Sequence, residues 1–225
     1  MSADSAYLAL LLDAPLQSWG FASRFQRRTT GLHPTKSGVI GLICAAMGIG
    51  KGTDEEKREL PELAKLAMTS IAIPRHAVRR LEDFHTVQNT RRASGKPNHD
   101  PVVTRRQYLA DAKFGIILAG SHALLERIAA ALQDPVWGVW FGRKSCLPAE
   151  PVCRGVFGSR QDAESKLLQG KPIEQFTHVE EVADFAAGTD SYNDQPVSFG
   201  QTDSSSEGRA FTVRRINLIP GTRNS

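Results

Sequence analysis

The side chains able to do chemistry in this sequence are scattered rather than clustered. Six histidines, His33, His76, His85, His99, His122 and His178, form no His-x-x-x-His pair and stand beside no dense run of acids, which argues against a metal site. No Gly-x-Ser-x-Gly elbow is present, and Cys146 has no partner base at a telling spacing. The Gly48-Ile49-Gly50-Lys51-Gly52 stretch lacks both the glycine spacing and the Ser or Thr after lysine that a phosphate loop needs. One reaction stays open. RNA can be cut without metal when a base takes the 2′-hydroxyl proton and a cation steadies the crowded phosphate. His85, Tyr108 and Lys113 could supply that set, although structural or binding roles suit His85 and Tyr108 better.

Cations and planar groups are better represented than nucleophiles. Gln17, Ser18, Trp19, Arg24, Arg27, Arg28 and Lys36 gather ahead of a predicted helix N-terminus, which itself favours anions. Arginine pairs phosphate bidentately, and unstacked bases rest on aromatic rings at about 1–3 kcal/mol per base. Trp19, Phe21, Phe25 and Phe84 are the stacking candidates, each also a plausible core residue. Arg143 and Lys144, after a predicted strand end, suit phosphate contact. An ordinary solvated basic loop would have the same composition.

The elements that must position these residues begin with a short apolar run, Tyr7 to Leu12, cut off by Asp13-Ala14-Pro15 and read as a buried strand. Thr35 is a hydroxyl N-cap for a helix with Ile40, Ile43, Cys44 and Met47 on one stripe and Gly48 at its end. Gly38, Gly41 and Ala45 form a second stripe that another backbone or a phosphate could approach. A charged helix follows, capped by Thr53 or Asp54, with Leu60, Leu63, Ala64 and Ala67 buried. Ser70 to Val78 reads as a second strand, with Pro74 marking an edge or bulge. Residues 79–107 read as a protruding basic hairpin, with arms Phe84 to Gln88 and Pro101 to Gln107 around a turn at 93–98. Asp111 to Ala119 is a third strand, Ser121 caps a helix from His122 to Leu132, and Val136 to Phe141 is a fourth strand. That order gives an α+β fold, a ferredoxin-like (RRM-like) βαββαβ domain over 1–156 with an inserted β-hairpin. The remainder, 157–225, reads as an irregular C-terminal elaboration packed on the same domain. It holds a helix at Ala163 to Leu168, a Ser204-Ser205-Ser206 run, a closing strand from Arg209 to Ile216 and a frayed end.

Charge distribution says more than its sum. The net charge is +4, but residues 161–207 hold ten acids against only Lys166 and Lys171, so that segment is −8 and the rest +12. Such asymmetry suggests one face for a polyanion and another for a different contact, or serves solubility alone. Cys44, Cys146 and Cys153 are an odd number without metal spacing, consistent with reduced thiols and a core role for Cys44. No segment approaches the roughly 20 apolar residues of a membrane span, and a cytoplasmic protein is expected.

Several blocks in one order carry a resemblance. Ala14-Pro15-Leu16-Gln17-Ser18-Trp19-Gly20 and Pro34-Thr35-Lys36-Ser37-Gly38-Val39-Ile40-Gly41-Leu42 resemble the N-terminal signature of the CRISPR-associated protein 5 family, in its CasD form from type I-E Cascade complexes. Asp83-Phe84-His85-Thr86-Val87, the run from Arg106 to Phe114, and Gly142-Arg143-Lys144-Ser145-Cys146-Leu147-Pro148 continue it over about two thirds of the chain. The resemblance implies a non-catalytic subunit that grips the 5′ handle of a CRISPR RNA and caps one end of the complex, without a cofactor. Its implied partners are the CasC backbone subunit, the large CasA subunit and, through the assembly, target DNA. The hairpin would be the family's thumb, inserted between the second and third strands. On this basis Lys36, Ser37, Gly38 and Gly41 would meet the handle backbone with Arg24, Arg27 and Arg28 nearby. Arg91, Arg92, Lys96, Arg105 and Arg106 would make the thumb basic. Type I-C relatives are endoribonucleases that process the guide precursor, which keeps His85, Tyr108 and Lys113 as the alternative.

Overall fold

A computed structural model describes residues 5–20, 26–74, 79–91, 94–200 and 209–222. The centre of the fold is β1 (Ser5–Asp13), whose unbroken apolar run has a simple cause: both of its faces are covered. Leu8, Leu10 and Leu12 point into one core, while Ala9 and Leu11 point into a second on the opposite face. Each fully buried leucine contributes about 1.5–3 kcal/mol.

After β1 come the two-residue strands β2 (Leu16–Gln17) and β3 (Arg27–Arg28), then α1 (Lys36–Met47) and α2 (Asp54–Ala64). Thr35 caps α1 by accepting from the Gly38 N–H, and Gly48 ends it with a left-handed φ of 76°. Thr53 caps α2, with Leu60, Leu63 and Ala64 buried, whereas Ala67 lies beyond the helix as the exposed first residue of β4 (Ala67–Ala72). This strand starts earlier than expected, and Pro74 falls after it. It runs between two neighbours rather than at an edge.

The hairpin expected at 79–107 is formed by β5 (Arg79–Val87) and β8 (Val102–Ala110), paired antiparallel over nine positions, with β6 (Thr90–Arg91) and β7 (Pro97–Asn98) near its tip. The free edge of β8 takes β2 antiparallel at its end and β3 in parallel further along. The chain returns through β9 (Lys113–Ser121) and α3 (His122–Gln133), capped by the Ser121 hydroxyl.

The expected strand at Val136 to Phe141 is a loop. Its apolar residues serve another purpose, since the Val136 and Trp137 N–H groups donate to Ala46 and Ala45 carbonyls at 2.9 and 3.2 Å and so satisfy the open end of α1. The strand beside β1 is instead β10 (Cys153–Phe157), joined through a register shift between Ala9 and Leu10.

The C-terminal third is not irregular. After α4 (Arg160–Leu168), β11 (His178–Glu181), β12 (Asp190–Ser198) and β13 (Ala210–Ile219) extend the main sheet to seven strands in the order β10-β1-β9-β4-β11-β13-β12. All of its pairings are antiparallel. Short 3-10 turns at Ile173–Gln175 and Phe185–Ala187 join these pieces. α1, α2 and α3 belong to the larger core, and Ala163, Leu167 and Leu168 of α4 fill the smaller one with Ile173 and Phe176. Among the described residues no helix is long and apolar enough to cross a membrane.

Candidate nucleic-acid interface

A groove of about 560 Å³ opens where the start of α1, the root of the hairpin and the β12–β13 pair meet. Its lining includes Arg28, Arg106, Arg143 and Arg209, with Ser18, Thr29, Thr35, Ser37 and Asn193 as polar partners and Phe199 and Phe211 as rings; among the described residues none that line it is acidic. Two of the arginines come from adjacent strands, because β3 pairs in parallel with β8 and sets Arg28 beside Arg106 and Arg27 beside Arg105.

Arg143 arrives from a different part of the chain and is held tightly. Its Nη1 donates to the Gln107 carbonyl and its Nη2 to the Arg28 carbonyl, both at 3.0 Å, while the guanidinium lies 4.4 Å from the Tyr108 ring. The turn that carries it is closed by Cys146 N–H to Arg143 O at 2.8 Å and tied to the groove floor by Ser18 N–H to Phe141 O at 3.0 Å. Gly142 is required there, since its φ is +92° and a Cβ would stand 1.8 Å from the Ser18 carbonyl oxygen.

Three expected RNA contacts, Gln17, Trp19 and Lys36, are instead interior groups. Gln17 is fully buried and its amide donates to Leu12 and Ala112 carbonyls at 2.9 and 2.7 Å. Trp19 is 1% exposed, donates from Nε1 to Gln17 Oε1 at 3.0 Å and packs 6.0 Å from Phe141. It lines the floor of the groove with no free face on which a base could stack. Lys36 is also 1% exposed: its Nζ sits 2.7 and 2.9 Å from the two Glu181 carboxylate oxygens. Burial lowers its pKa, against the attraction of Glu181. The helix start is partly occupied too, because Asp194 Oδ2 accepts from the Lys36 N–H at 2.8 Å. Gly38 lines the groove, but the close approach it permits is that of the Trp19 ring, 3.0 Å from a would-be Cβ; Gly41 faces Phe199 at an ordinary 3.7 Å.

On the hairpin, Arg91 and Lys96 are exposed near the tip, away from the groove, so Lys36, Arg91 and Arg143 do not converge on one site. Phe84 is 61% exposed and pairs in register with Arg105, whose guanidinium lies 5.6 Å from the ring. Lys144 is exposed, with its amine 5.7 Å from the Trp140 ring. Arg24 and Arg92, like Phe21 and Phe25, fall outside the described residues.

The alternative catalytic set does not assemble. His85 is half-exposed and bound to Asp83 at 2.5 Å, Tyr108 is buried beneath Arg143, and Lys113 pairs with Asp13 at 3.2 Å. His85 faces Thr104 across the hairpin, four residues and therefore roughly 13 Å along the strand from Tyr108. Among the described residues no group of three or more His, Cys, Asp or Glu side chains is disposed to hold a metal ion.

Comparison with known proteins decides the family. The family model described as CRISPR-associated protein (Cas_Cas5) matches residues 7–217. The chain belongs to the CRISPR-associated Cas5 family. It is 31% identical over 176 residues to the CRISPR system Cascade subunit CasD of Escherichia coli (strain K12), covering 75% of this chain and 78% of that protein. A solved chain of a CRISPR RNA-guided surveillance complex superposes with a TM-score of 0.73 at 26% identity, over 96% of this chain and 90% of that one. A crystallised Cas protein does so with a TM-score of 0.65 at 31% identity, over 95% of each. The Cas5 match therefore runs through β11, β12 and most of β13, the region whose blocks were least legible. That region supplies Asn193, Phe199, Arg209 and Phe211, the groove residues that sequence reasoning missed. Their only local signal was a lone arginine opening the last strand.

Proposed function

We propose that this protein is a non-catalytic, CRISPR RNA-binding subunit of a type I-E Cascade surveillance complex, gripping the 5′ handle of the RNA and capping one end of the assembly in antiviral defence. The observation that carries this reading is the groove: four arginines from separate segments, the rings of Phe199 and Phe211 above a Trp19 floor, and no carboxylate among the described residues of its lining. A trough of that composition suits single-stranded RNA, whose phosphates take the guanidinium groups and whose bases rest on Phe199 or Phe211. The similarities to CasD and to a chain of an RNA-guided surveillance complex support it.

In this reading the β10-β1-β9-β4 order is a ferredoxin-like core, since β9 lies between β1 and β4, which the helices α1 and α2 connect. The β5–β8 hairpin is the thumb. Phe84, Arg91, Lys96 and Arg105 on it face the spacer-side RNA beside a CasC subunit, CasA packs nearby, and target DNA meets the protein only through the assembled cytoplasmic complex. Processing of the precursor RNA falls to another subunit, in keeping with the separation of His85, Tyr108 and Lys113.

The test is a salt titration of the full chain with labelled handle RNA from the host's own CRISPR repeat. Four phosphate contacts at roughly 0.7 each give a slope of about −3 in log K against log salt. Absence of salt-dependent binding, both alone and in the assembled complex, would overturn the reading. So would a defined cut in precursor RNA, made in EDTA and lost on His85→Ala, for the non-catalytic part.

A further inference from the structure

The groove has two walls from distant parts of the sequence, and one buried carboxylate joins them. Asp194 is 1% exposed and lies between Asn193, which lines the groove, and the rest of β12. Its Oδ2 accepts from the Lys36 N–H at 2.8 Å, one residue before Ser37 and two before Gly38 on the opposite wall. Both of its oxygens also receive the Arg214 fork, Oδ1 from Nε at 2.9 Å and Oδ2 from Nη2 at 2.8 Å. Arg214 is itself buried on β13, the strand that presents Phe211 and follows Arg209. A carboxylate bound to a helix N–H on one side and to a guanidinium fork on the other fixes distance and angle together.

Resting on the RNA reading above, we propose that Asp194 is a positioning residue for the RNA groove: by clamping the start of α1 to Arg214, it holds the β12–β13 wall where Arg209 and Phe211 meet the RNA. The proposal makes a prediction opposite to simple electrostatics. Removing a negative charge close to a polyanion site strengthens binding if that charge is a bystander. If Asp194 acts by positioning, Asp194→Asn weakens binding, and the loss overlaps with that of Arg209→Ala because both act through one wall.

The experiment is a double-mutant cycle on the full chain, read as dissociation constants for the repeat-derived handle RNA by fluorescence anisotropy, well below each variant's melting temperature. Asp194→Asn is expected to weaken binding about tenfold, and the Asp194→Asn/Arg209→Ala pair to bind within about twofold of Asp194→Asn alone. Asp194→Asn paired with Arg106→Ala, on the other wall, is expected to be additive. Unchanged or tighter binding by Asp194→Asn would overturn the proposal. So would additivity with Arg209→Ala, which marks general destabilisation instead. If Asp194→Asn does not fold, Arg214→Lys keeps the charge but loses the fork, and the same non-additivity with Arg209→Ala is required of it. Failure of the unsubstituted protein to bind in a salt-dependent way would remove the RNA reading and this inference with it. Wild-type binding with no coupling removes the inference alone.

Discussion

Replacing Arg143 with alanine separates two roles that one guanidinium performs. The side chain bridges the Gln107 and Arg28 carbonyls at 3.0 Å each and stacks 4.4 Å over Tyr108, so it ties β8, the 27–28 segment and the 141–146 turn together. Two charge-assisted bonds and a cation–π contact, discounted for partial exposure, come to about 2–4 kcal/mol. In a protein of this size the melting temperature should fall by about 5–15 °C. Arg106, by contrast, makes a bond from Nε to Thr104 Oγ1 at 3.2 Å. Arg106→Ala should therefore melt within about 2 °C of the wild type. Both variants lose one phosphate contact, worth about 0.7 in the salt slope with single-stranded RNA. Arg143→Lys retains the charge but cannot span two carbonyls, so it should keep the slope while losing much of the thermal stability. Scanning calorimetry beside anisotropy titrations reads both quantities. An Arg143→Ala protein that melts like wild type would refute the bridging role, and an unchanged slope in Arg106→Ala would take that arginine out of the groove.

Two further outcomes follow from buried or strained groups. Burial first, and the neighbouring His178 second, depress the His33 pKa to about 4 from 6.5. The native state therefore keeps this histidine neutral while the unfolded chain binds a proton below about pH 6.5, so stability falls as the pH drops from there towards 4. The loss is about 2 kcal/mol between pH 7.5 and 5, and urea midpoints for His33→Gln should show a correspondingly flatter profile. Gly142→Ala places a methyl where the Ser18 carbonyl oxygen lies 1.8 Å from the ideal Cβ, at φ +92°. It should cost about 2 kcal/mol or more and weaken RNA binding by displacing Arg143; a melt within about 2 °C of wild type would contradict the turn geometry.

What was legible in the sequence was what local chemistry determines. Thr35, Thr53 and Ser121 announce helix starts because a cap bonds to a backbone three residues away, and all three do so. β1 was readable as a buried strand because its apolar run is short and unbroken. The 136–141 segment was misread because Val136, Trp137, Val139 and Trp140 look like a strand, whereas two of their N–H groups close the carbonyl end of α1. β11 and β12 stayed hidden for the opposite reason. They carry Glu180, Glu181, Asp190 and Asp194 where an apolar alternation was sought, and the partners that make such charges tolerable are distant in sequence. The partner of Glu181 is Lys36, 145 residues away.

The same pairings explain how an overall charge of only +4 yields a groove lined by four arginines. Within the acid-rich segment, Glu181 takes Lys36, Asp194 takes Arg214, and Glu164 and Glu180 take Arg160. Left unpaired in the interior, the buried Lys36 or Arg214 would cost several kcal/mol, so their acids are first an internal counter-charge. Because Lys36 and Arg214 are neutralised by Glu181 on β11 and Asp194 on β12, neither of which lines the groove, their counter-charges do not enter it. Arg28, Arg106, Arg143 and Arg209 then line it with no acid among the described lining residues. Lys36 was expected as a phosphate contact because its type and place at a helix start fit that task. Its actual partner, Glu181, binds the C-terminal strands to α1, and through them it brings Arg209 and Phe211 to the groove. The lysine thus serves the interface by being unavailable to it.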